Sequence, residues 1–385
     1  MEKGKDISFL LKQEREALSY TLKEVSQKMG FQNYQILSNI ESGQRDIKVW
    51  ELSKLAGIYG RDINYFMSGK TEPSHTKILW RDPKQTEDKT KVERQFITLC
   101  QNYKKLLELT NEEHTALSIA TVPAPNKQEF TNRGFSYVLE LAEYYRKILD
   151  LGGRPAYVIS RKLEQDLDVL VLYLDLGITG SGASTASDFG KAILINSNDA
   201  PWRRNYDLAH EFFHLITWEI FSDEEIYPKS KDGKSKVEQW ADAFASAVLL
   251  PVEEVSREFS KKLIDNKITY LSLVEIAREF DVSIDALLWR LVNLRHLRKK
   301  DVEKCVQEEG IRKIDKEMRK TNIADQRPYI SSRYITLAIK AMQMGKISKA
   351  KFAEYVNKPF SEISSFVKKY GYTENEDYSI VFTAS

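Results

Sequence analysis

The sequence has few cysteines and no long apolar run. Only two cysteines, Cys100 and Cys305, occur in 385 residues, and they form no CxxC pair. This excludes a disulfide-rich scaffold and fits a reducing compartment. The longest apolar stretches, such as 169–174, are too short to cross a bilayer, and the first residues lack the apolar core of a signal peptide. We therefore expect a cytoplasmic protein with no membrane partner.

A strong excess of one charge is also absent. The 58 Lys and Arg residues against 56 Asp and Glu residues leave a net charge of +2, so DNA binding has to be inferred from local motifs. The length exceeds what one core usually serves, and 42% hydrophobic with 30% charged residues is a globular composition. We therefore expect two to four modules.

Short helices with capping signals are typical of residues 7–70. Thr21 with Glu24 three residues later predicts a capping box at the start of one helix. A break at Gly30 precedes a second short helix, which Gly43 ends. This order predicts a compact all-α unit.

The centre of the chain carries a metal-ligand pattern. His210 and His214 are four residues apart on a predicted helix, so both imidazoles project from one face and can share one Zn²⁺. Glu211 can take a proton from a water at that metal. A catalytic zinc needs a third protein ligand, and Glu238 on the next predicted helix can supply it. Asp242, one turn later, can accept the free ring N–H of a ligand histidine.

A small sheet is predicted beside the metal pattern. Residues 168–175 and 191–196 are apolar runs typical of buried strands, and a glycine-rich turn occupies 177–182 between them. We expect 193–196 to be an edge strand, against which a peptide substrate adds as a further strand.

The two blocks that carry the metal pattern resemble the ImmA/IrrE family of metallopeptidases. The blocks are YDLAHEFFHLI at 206–216 and EQWADAFA at 238–245, and the likeness covers about 130–295. It implies a gluzincin-like site with one zinc ion, zinc ligands at His210, His214 and Glu238, and Glu211 as general base. The known activity of the family is cleavage of repressor proteins. The oxyanion-stabilising group stays open between three candidates, Tyr206, Tyr227 and Arg203.

Residues 20–45 resemble the Cro/repressor-type (XRE) helix-turn-helix, with LKEVSQKMG at 22–30 as the first helix and its turn. The resemblance implies that the second helix lies in the major groove of DNA, where Asn and Gln can pair with adenine. The residues expected to contact DNA are Asn33, Tyr34, Gln35, Ser38, Asn39 and Arg45. A protein-contact role for the same bundle stays open.

The expected modules follow from these patterns and from a second helix-turn-helix pattern at 272–294. They are an XRE-type DNA-binding domain at 1–70, a linker with an amphipathic helix at 71–129, an ImmA/IrrE-type metallopeptidase domain at 130–255, a helix-turn-helix-like helical module at 256–300 and a C-terminal helical, winged-helix-like module at 301–385. The expected fold is therefore mainly α and multi-domain, with an all-α helix-turn-helix, a central α+β zincin-like (gluzincin) domain holding a small sheet, and all-α modules at the C-terminal end.

Together these features predict a DNA-binding transcriptional regulator with zinc-dependent endopeptidase activity. It would cleave a repressor or antitoxin-like protein, or itself, in stress, mobile-element or toxin-antitoxin control. The expected partners are a double-stranded DNA operator and the protein substrate, and a homodimer is left open. Two alternatives also stay open: a non-proteolytic XRE-family repressor or antitoxin whose metal site is structural or sensory, and an interaction scaffold with neither activity.

Overall fold

The structure is a computed structural model that describes residues 2–18, 20–61, 63–68, 76–81, 89–112, 125–228, 234–319 and 330–372. Twenty α-helices and one four-stranded sheet lie in these ranges. The expectation of a mainly α chain with a small central sheet is therefore confirmed.

Five helices form the N-terminal unit: α1 (Glu2–Ala17), α2 (Leu22–Met29), α3 (Gln35–Glu41), α4 (Val49–Tyr59) and α5 (Ile63–Ser68). The capping box at the start of α2 is present, since the Thr21 hydroxyl accepts the Glu24 N–H and the Glu24 carboxylate accepts the Thr21 N–H at 2.7 Å. Gly30, at φ 77°, ends α2 in the left-handed region that glycine adopts without strain. The unit buries its own apolar core, which includes Leu11, Val25, Leu37, Ile40 and Leu55.

The middle of the chain contains the sheet and the helices around it. Its elements are β1 (Ile78–Arg81), α6 (Lys89–Thr110), α7 (Lys127–Arg133), α8 (Phe135–Ile148), α9 (Ile159–Asp166), β2 (Val169–Leu174), β3 (Gly182–Ser187), β4 (Gly190–Asn196), α10 (Pro201–Ile216), α11 (Asp223–Ile226) and α12 (Lys236–Leu249). A short 3-10 helix at Pro155–Tyr157 precedes α9.

The last third of the described chain is helical. Its elements are α13 (Val252–Lys261), α14 (Tyr270–Glu279), α15 (Ile284–Asn293), α16 (Lys299–Gln307), α17 (Glu309–Arg319), α18 (Ser332–Gln343), α19 (Lys349–Tyr355) and α20 (Ile363–Lys368), with a 3-10 turn at Phe360–Glu362. No helix in the described ranges is both long enough and apolar enough to span a membrane.

The strand order in the sheet is β1-β3-β4-β2. Strand β3 pairs antiparallel with both β1 and β4, and β4 pairs parallel with β2. The expectation that 193–196 lies at a sheet edge is therefore wrong, because β3 covers that side of β4. Strand β3 has the sequence Gly-Ala-Ser-Thr-Ala-Ser, and its small residues lack the apolar alternation that predicts a strand.

The sheet lies between two apolar cores, because successive side chains of a strand point to opposite faces. On β2, Val169, Val171 and Tyr173 point into the front core, which contains α8, α10 and α12. The alternate residues Leu170 and Leu172 point into the back core. All six positions of β2 are consequently buried.

The back core joins helices from two distant segments. Helix α6 comes from the segment expected to hold a linker and an amphipathic helix, and α18 to α20 come from the expected C-terminal module. Their buried side chains pack together against the sheet, among them Phe96, Tyr103, Tyr334, Ile339 and Phe352. These segments thus complete the core that surrounds the sheet.

Candidate metal centre

Helix α10 carries both histidines of the motif. Pro201 occupies its first turn, where the missing N–H leaves no unmet partner. The helix packs beneath β3 and β4 with an almost entirely buried second half. His210 and Glu211 have no exposed surface, and His214 is 3% exposed.

Helix α12 brings the third donor to the histidines. Its first turn begins at Ser235, whose hydroxyl accepts the Glu238 N–H at 3.1 Å. The Nε2 atoms of His210 and His214 are 3.2 Å apart. Each also lies 3.2 Å from a Glu238 carboxylate oxygen. The structure thus brings together all three residues that the sequence predicts as metal ligands.

The donor set and its spacing fit zinc. Two imidazole nitrogens and a carboxylate are the ligands of a common type of catalytic zinc site. Donors bonded at about 2.0–2.1 Å to one tetrahedral ion lie about 3.4 Å apart, close to the distances between these three side chains. All the candidate ligand atoms lie within 4.8 Å of one another, so the three residues could hold one metal ion.

Asp242 orients the first histidine. Its Oδ1 lies 3.0 Å from His210 Nδ1, so a proton on Nδ1 leaves the Nε2 lone pair directed toward His214 and Glu238. The Lys234 ammonium donates to the other carboxylate oxygen at 2.7 Å. Burial alone would raise the pKa of Asp242, but the contacts with His210 and Lys234 lower it to about 2.

Glu211 lies next to the donors without a hydrogen-bond partner of its own. Both of its carboxylate oxygens are buried and unbonded. Burial raises the pKa of its carboxyl to about 7, because attraction from His214 and the nearby Ser184 hydroxyl, which forms no full hydrogen bond with it, only partly offset the loss of solvent. A carboxylate that no protein group satisfies is available to a water or a substrate at the same place.

The three candidates for oxyanion stabilisation have different surroundings. The Tyr206 hydroxyl donates to the Asp242 carbonyl at 2.9 Å, and Arg203 is half-exposed beside Asp199 and Asp207. The Tyr227 hydroxyl instead lies on β1, where it donates to the Trp80 carbonyl and accepts the Trp80 N–H, both at 2.7 Å.

Sequence reasoning missed one charged residue at the site. The Arg81 guanidinium, at the end of β1, lies 3.0 Å from Asp207 and 3.3 Å from Asp242. It also stands over the Tyr206 ring, 5.4 Å from the ring centroid. Its segment was interpreted as linker, and no pattern in the sequence connects it with α10 and α12.

The residues expected to contact DNA lie on α3 or in the loops on either side of it. The exposed ones are Asn33, Tyr34, Gln35 and Asn39. Ser38 is half-buried, and Asn33 also caps α3, since its Oδ1 accepts the Ile36 N–H at 3.3 Å. Arg45 is half-buried and donates to Glu51 at 2.8 Å, so its charge is partly neutralised.

The second helix-turn-helix pattern forms a pair of helices whose burial differs from that of the N-terminal pair, α2 and α3. Helices α14 and α15 are joined at Asp281, which has φ 49°. Leu287, Leu288 and Leu291 of α15 are buried in the front core, and Arg290 donates to the Leu250 carbonyl at 3.0 Å. Much of this second helix therefore packs against the rest of the chain.

Two segments of the chain match known family models. Residues 164–292, which contain the whole metal centre, match the IrrE N-terminal-like domain. Residues 11–66 match a helix-turn-helix domain. The chain thus combines segments similar to these two domains. The predicted fusion is thereby confirmed, and the IrrE-like domain connects the metal centre with a metallopeptidase-type family.

Other comparisons add little. A solved structure of a Mycobacterium tuberculosis transcriptional regulator is 14% identical over 50% of this chain and 51% of that chain, with a TM-score of 0.29. The chain thus spans about half the length of that structure, and a likeness at this level supports no conclusion. No curated protein matches the chain.

Proposed function

We propose that this chain is a zinc-dependent endopeptidase joined to a DNA-binding domain. Its substrate is a repressor or antitoxin-like protein, or the chain itself, and cleavage relieves repression in stress, mobile-element or toxin-antitoxin control. The observation that carries the proposal is the convergence of His210, His214 and Glu238 beside the unbonded carboxylate of Glu211. The module boundaries near residues 70, 129, 255 and 300 belong to the same proposal.

The side chains at the site have distinct tasks in peptide hydrolysis. A bound zinc ion supplies Lewis-acid polarisation of a carbonyl and acidifies a water molecule. Glu211 takes a proton from the water whose oxygen adds to the carbonyl carbon. It passes that proton to the amide nitrogen as the C–N bond breaks, which leaves a carboxylic acid and an amine, and transfer of the remaining acid proton to the amine gives a carboxylate and an ammonium group. Of the three candidates for oxyanion stabilisation, we propose the Tyr227 hydroxyl, because it already donates to a backbone carbonyl, that of Trp80.

A non-proteolytic regulator with a structural or sensory metal site is the second candidate. The complete burial of His210 and Glu211 favours it, because solvent does not reach them in this conformation. The donor count favours catalysis, because structural zinc sites have four protein ligands, whereas three donors converge here within the described part of the chain.

The Glu211→Gln substitution separates the two candidates. The amide keeps the size of the side chain but cannot accept the proton, so we expect normal zinc content and a loss of cleavage of about 10²-fold or more. The measurement is zinc content together with new protein N-termini mapped in cells that express each variant. Glu253→Gln, an exposed change on α13, is the matched control. Unchanged cleavage products in Glu211→Gln would contradict the proposed chemistry.

The DNA-binding part of the proposal rests on the exposed polar side chains of α3. Gln35→Ala combined with Asn39→Ala should weaken binding by about 1–3 kcal/mol for each base that the helix no longer reads. The measurement is affinity for an operator selected in vitro from random duplexes, with zinc content checked in parallel. Gln13→Ala, exposed on α1, is the control. Equal affinity of the double variant and the control would remove the base-reading role.

A further inference from the structure

Strand β1 is an addition to the sheet of the IrrE-like domain. The family match at 164–292 contains β2, β3 and β4 but not β1, which also lies outside the helix-turn-helix match. Within the matched domain the sheet therefore ends at β3. Strand β1 extends it antiparallel, with Leu79 opposite Ser184 and Arg81 opposite Gly182. Addition of an extended segment to a sheet edge is a common mode of peptide recognition.

The place that β1 occupies is next to the proposed general base. A Cβ atom added at Gly182 would lie 3.3 Å from Glu211 Cγ, so the front of β3 directly covers this carboxylate. Leu79 and Arg81 are the cross-strand partners on that same face. Any segment that pairs with β3 at this register lies beside Glu211.

The backbone of Trp80 makes both of its outward hydrogen bonds to one side chain. Its carbonyl and N–H point away from β3 and both bond the Tyr227 hydroxyl. Trp80 faces Ala183 of β3, next to Gly182, where an added Cβ would lie 3.3 Å from Glu211 Cγ, so the hydroxyl bonds a strand that lies beside this carboxylate. After burial, the nearby charges of Glu211 and Glu238 are the next largest causes that raise the pKa of Tyr227. The Trp80 carbonyl thus accepts a hydrogen bond from the group proposed to stabilise an oxyanion.

The Arg81 side chain fills an acidic subsite. Asp207 is 1% exposed and Asp242 is half-buried, and both carboxylates face the guanidinium. Burying two carboxylates near each other is unfavourable unless a cation joins them, so this subsite favours a basic side chain. A cleft of about 1050 Å³ continues from Arg81, with room for further residues of a bound peptide. Its lining includes Arg203, Tyr206, Lys234, Gln239 and Trp289.

We propose that Ile78–Arg81 occupies the substrate groove as an internal pseudosubstrate. The substrate class is then an extended segment that pairs with β3 and carries an arginine or lysine directly after the residue whose carbonyl contacts Tyr227. The inference rests on the proposed peptidase function of the same site. It gives a physical reason for the burial of His210, Glu211 and His214, since β1 must leave before a substrate can enter.

A disulfide between β1 and β3 that can be formed and reduced tests the pseudosubstrate inference directly. Ile78 faces Thr185, and because the backbone of Trp80 two residues on points outward, these two residues form a non-hydrogen-bonded pair with closely spaced side chains. The 385-residue chain with Ile78→Cys, Thr185→Cys and Glu211→Gln can be oxidised and reduced. The probe is a fluorescein-labelled peptide with the sequence of residues 76–83, and the readout is fluorescence polarisation.

The expected result is peptide binding in the reduced form and at least about tenfold weaker binding in the oxidised form, since a competent state that is rarely populated lowers apparent affinity in proportion. Arg81→Ala should bind the peptide about tenfold more tightly than the unsubstituted chain, because its own strand is held less firmly. Lys104→Ala, which removes a surface ion pair with Asp188, is the control and should change nothing.

A peptide with glutamate in the place of Arg81 tests the acidic subsite and should bind at least about tenfold more weakly. Equal binding by the oxidised and reduced forms, or equal binding of both peptides, would overturn the inference even if the Arg81 variant does not fold. Failure of the pseudosubstrate inference can be told apart from failure of the proposed peptidase function. Peptide binding that behaves as expected, together with no protein cleavage that depends on Glu211 in cells, contradicts the peptidase alone. Cleavage of a protein substrate without peptide binding contradicts the pseudosubstrate alone.

Discussion

At each edge of the sheet, a side chain hydrogen-bonds backbone groups that point away from the neighbouring strand. The two edges are nevertheless built differently. On β2 the Glu164 carboxylate of α9 accepts the Val171 N–H at 3.3 Å, and every position of the strand is buried. On β1 the Tyr227 hydroxyl bonds both outward groups of Trp80, and the strand has only four residues with half-buried ends.

The difference shows how an edge can serve either the fold or the function. Strand β2 lies inside the matched domain and contributes apolar side chains to both cores. Strand β1 comes from outside that domain, and Arg81 holds it to α10 and α12 through ion pairs. Another extended segment with a basic side chain could replace the contacts of β1. No peptide from solution could replace β2, because its side chains are buried in both cores.

Truncation at β2 should have the largest effect on stability. Leu172 has no exposed surface, so Leu172→Ala is expected to lower the free energy of unfolding by about 2–5 kcal/mol. Leu139→Ala, at a position that is 41% exposed, is the control and should change it by much less. The measurement is denaturant unfolding followed by circular dichroism. Similar losses for both variants would contradict the structural role of β2.

Glu164, which bonds the outward backbone of β2, should make the stability of the fold depend on pH. Burial raises the pKa of Glu164 from 4.5 to about 7, so the fold favours the protonated form. This contribution is complete below pH 4.5 and is lost as the pH rises through 7. Glu164→Gln should therefore stabilise the chain by up to about 3 kcal/mol above pH 8 and leave stability little changed below pH 4. Urea unfolding across this range is the measurement, and a pH-independent difference would be the contrary result.

Tyr227, which bonds the outward backbone of β1, should contribute least to the stability of the fold. Tyr227→Phe removes the two hydrogen bonds to Trp80 at a site that water can partly reach, so we expect a loss of about 1 kcal/mol. Hydrogen exchange of the β1 amides should accelerate in this variant, while the amides of β2 keep their protection. Equal acceleration in both strands would show that the edges open together.

The metal ligands could be predicted because each part of their pattern lies within a short stretch of sequence. His210 and His214 lie one helical turn apart, and Glu238 sits in the first turn of the next amphipathic helix. The capping box at Thr21 and the helix end at Gly30 were predictable for the same reason, because each depends on residues no more than a few positions apart.

Strands β1 and β3 could not be predicted because no local sequence pattern marks them as strands. Strand β3 has small residues where α10 packs closely against it, and at Gly182 even a Cβ would approach the Glu211 side chain. Strand β1 is only four residues long, too short for a clear alternation. The contact of Arg81 with Asp207 joins residues more than a hundred positions apart, and nothing in the intervening sequence indicates it.

Zinc content by elemental analysis tests the central claim most directly. The 385-residue chain, purified with zinc present and then dialysed, should hold one zinc ion, and His214→Ala should hold essentially none. His296→Ala is the control, since His296 packs on Phe259 and contacts Ser256, away from the site, and it should keep its zinc. Zinc retained by His214→Ala at the level of the unsubstituted chain would contradict the assignment of this centre.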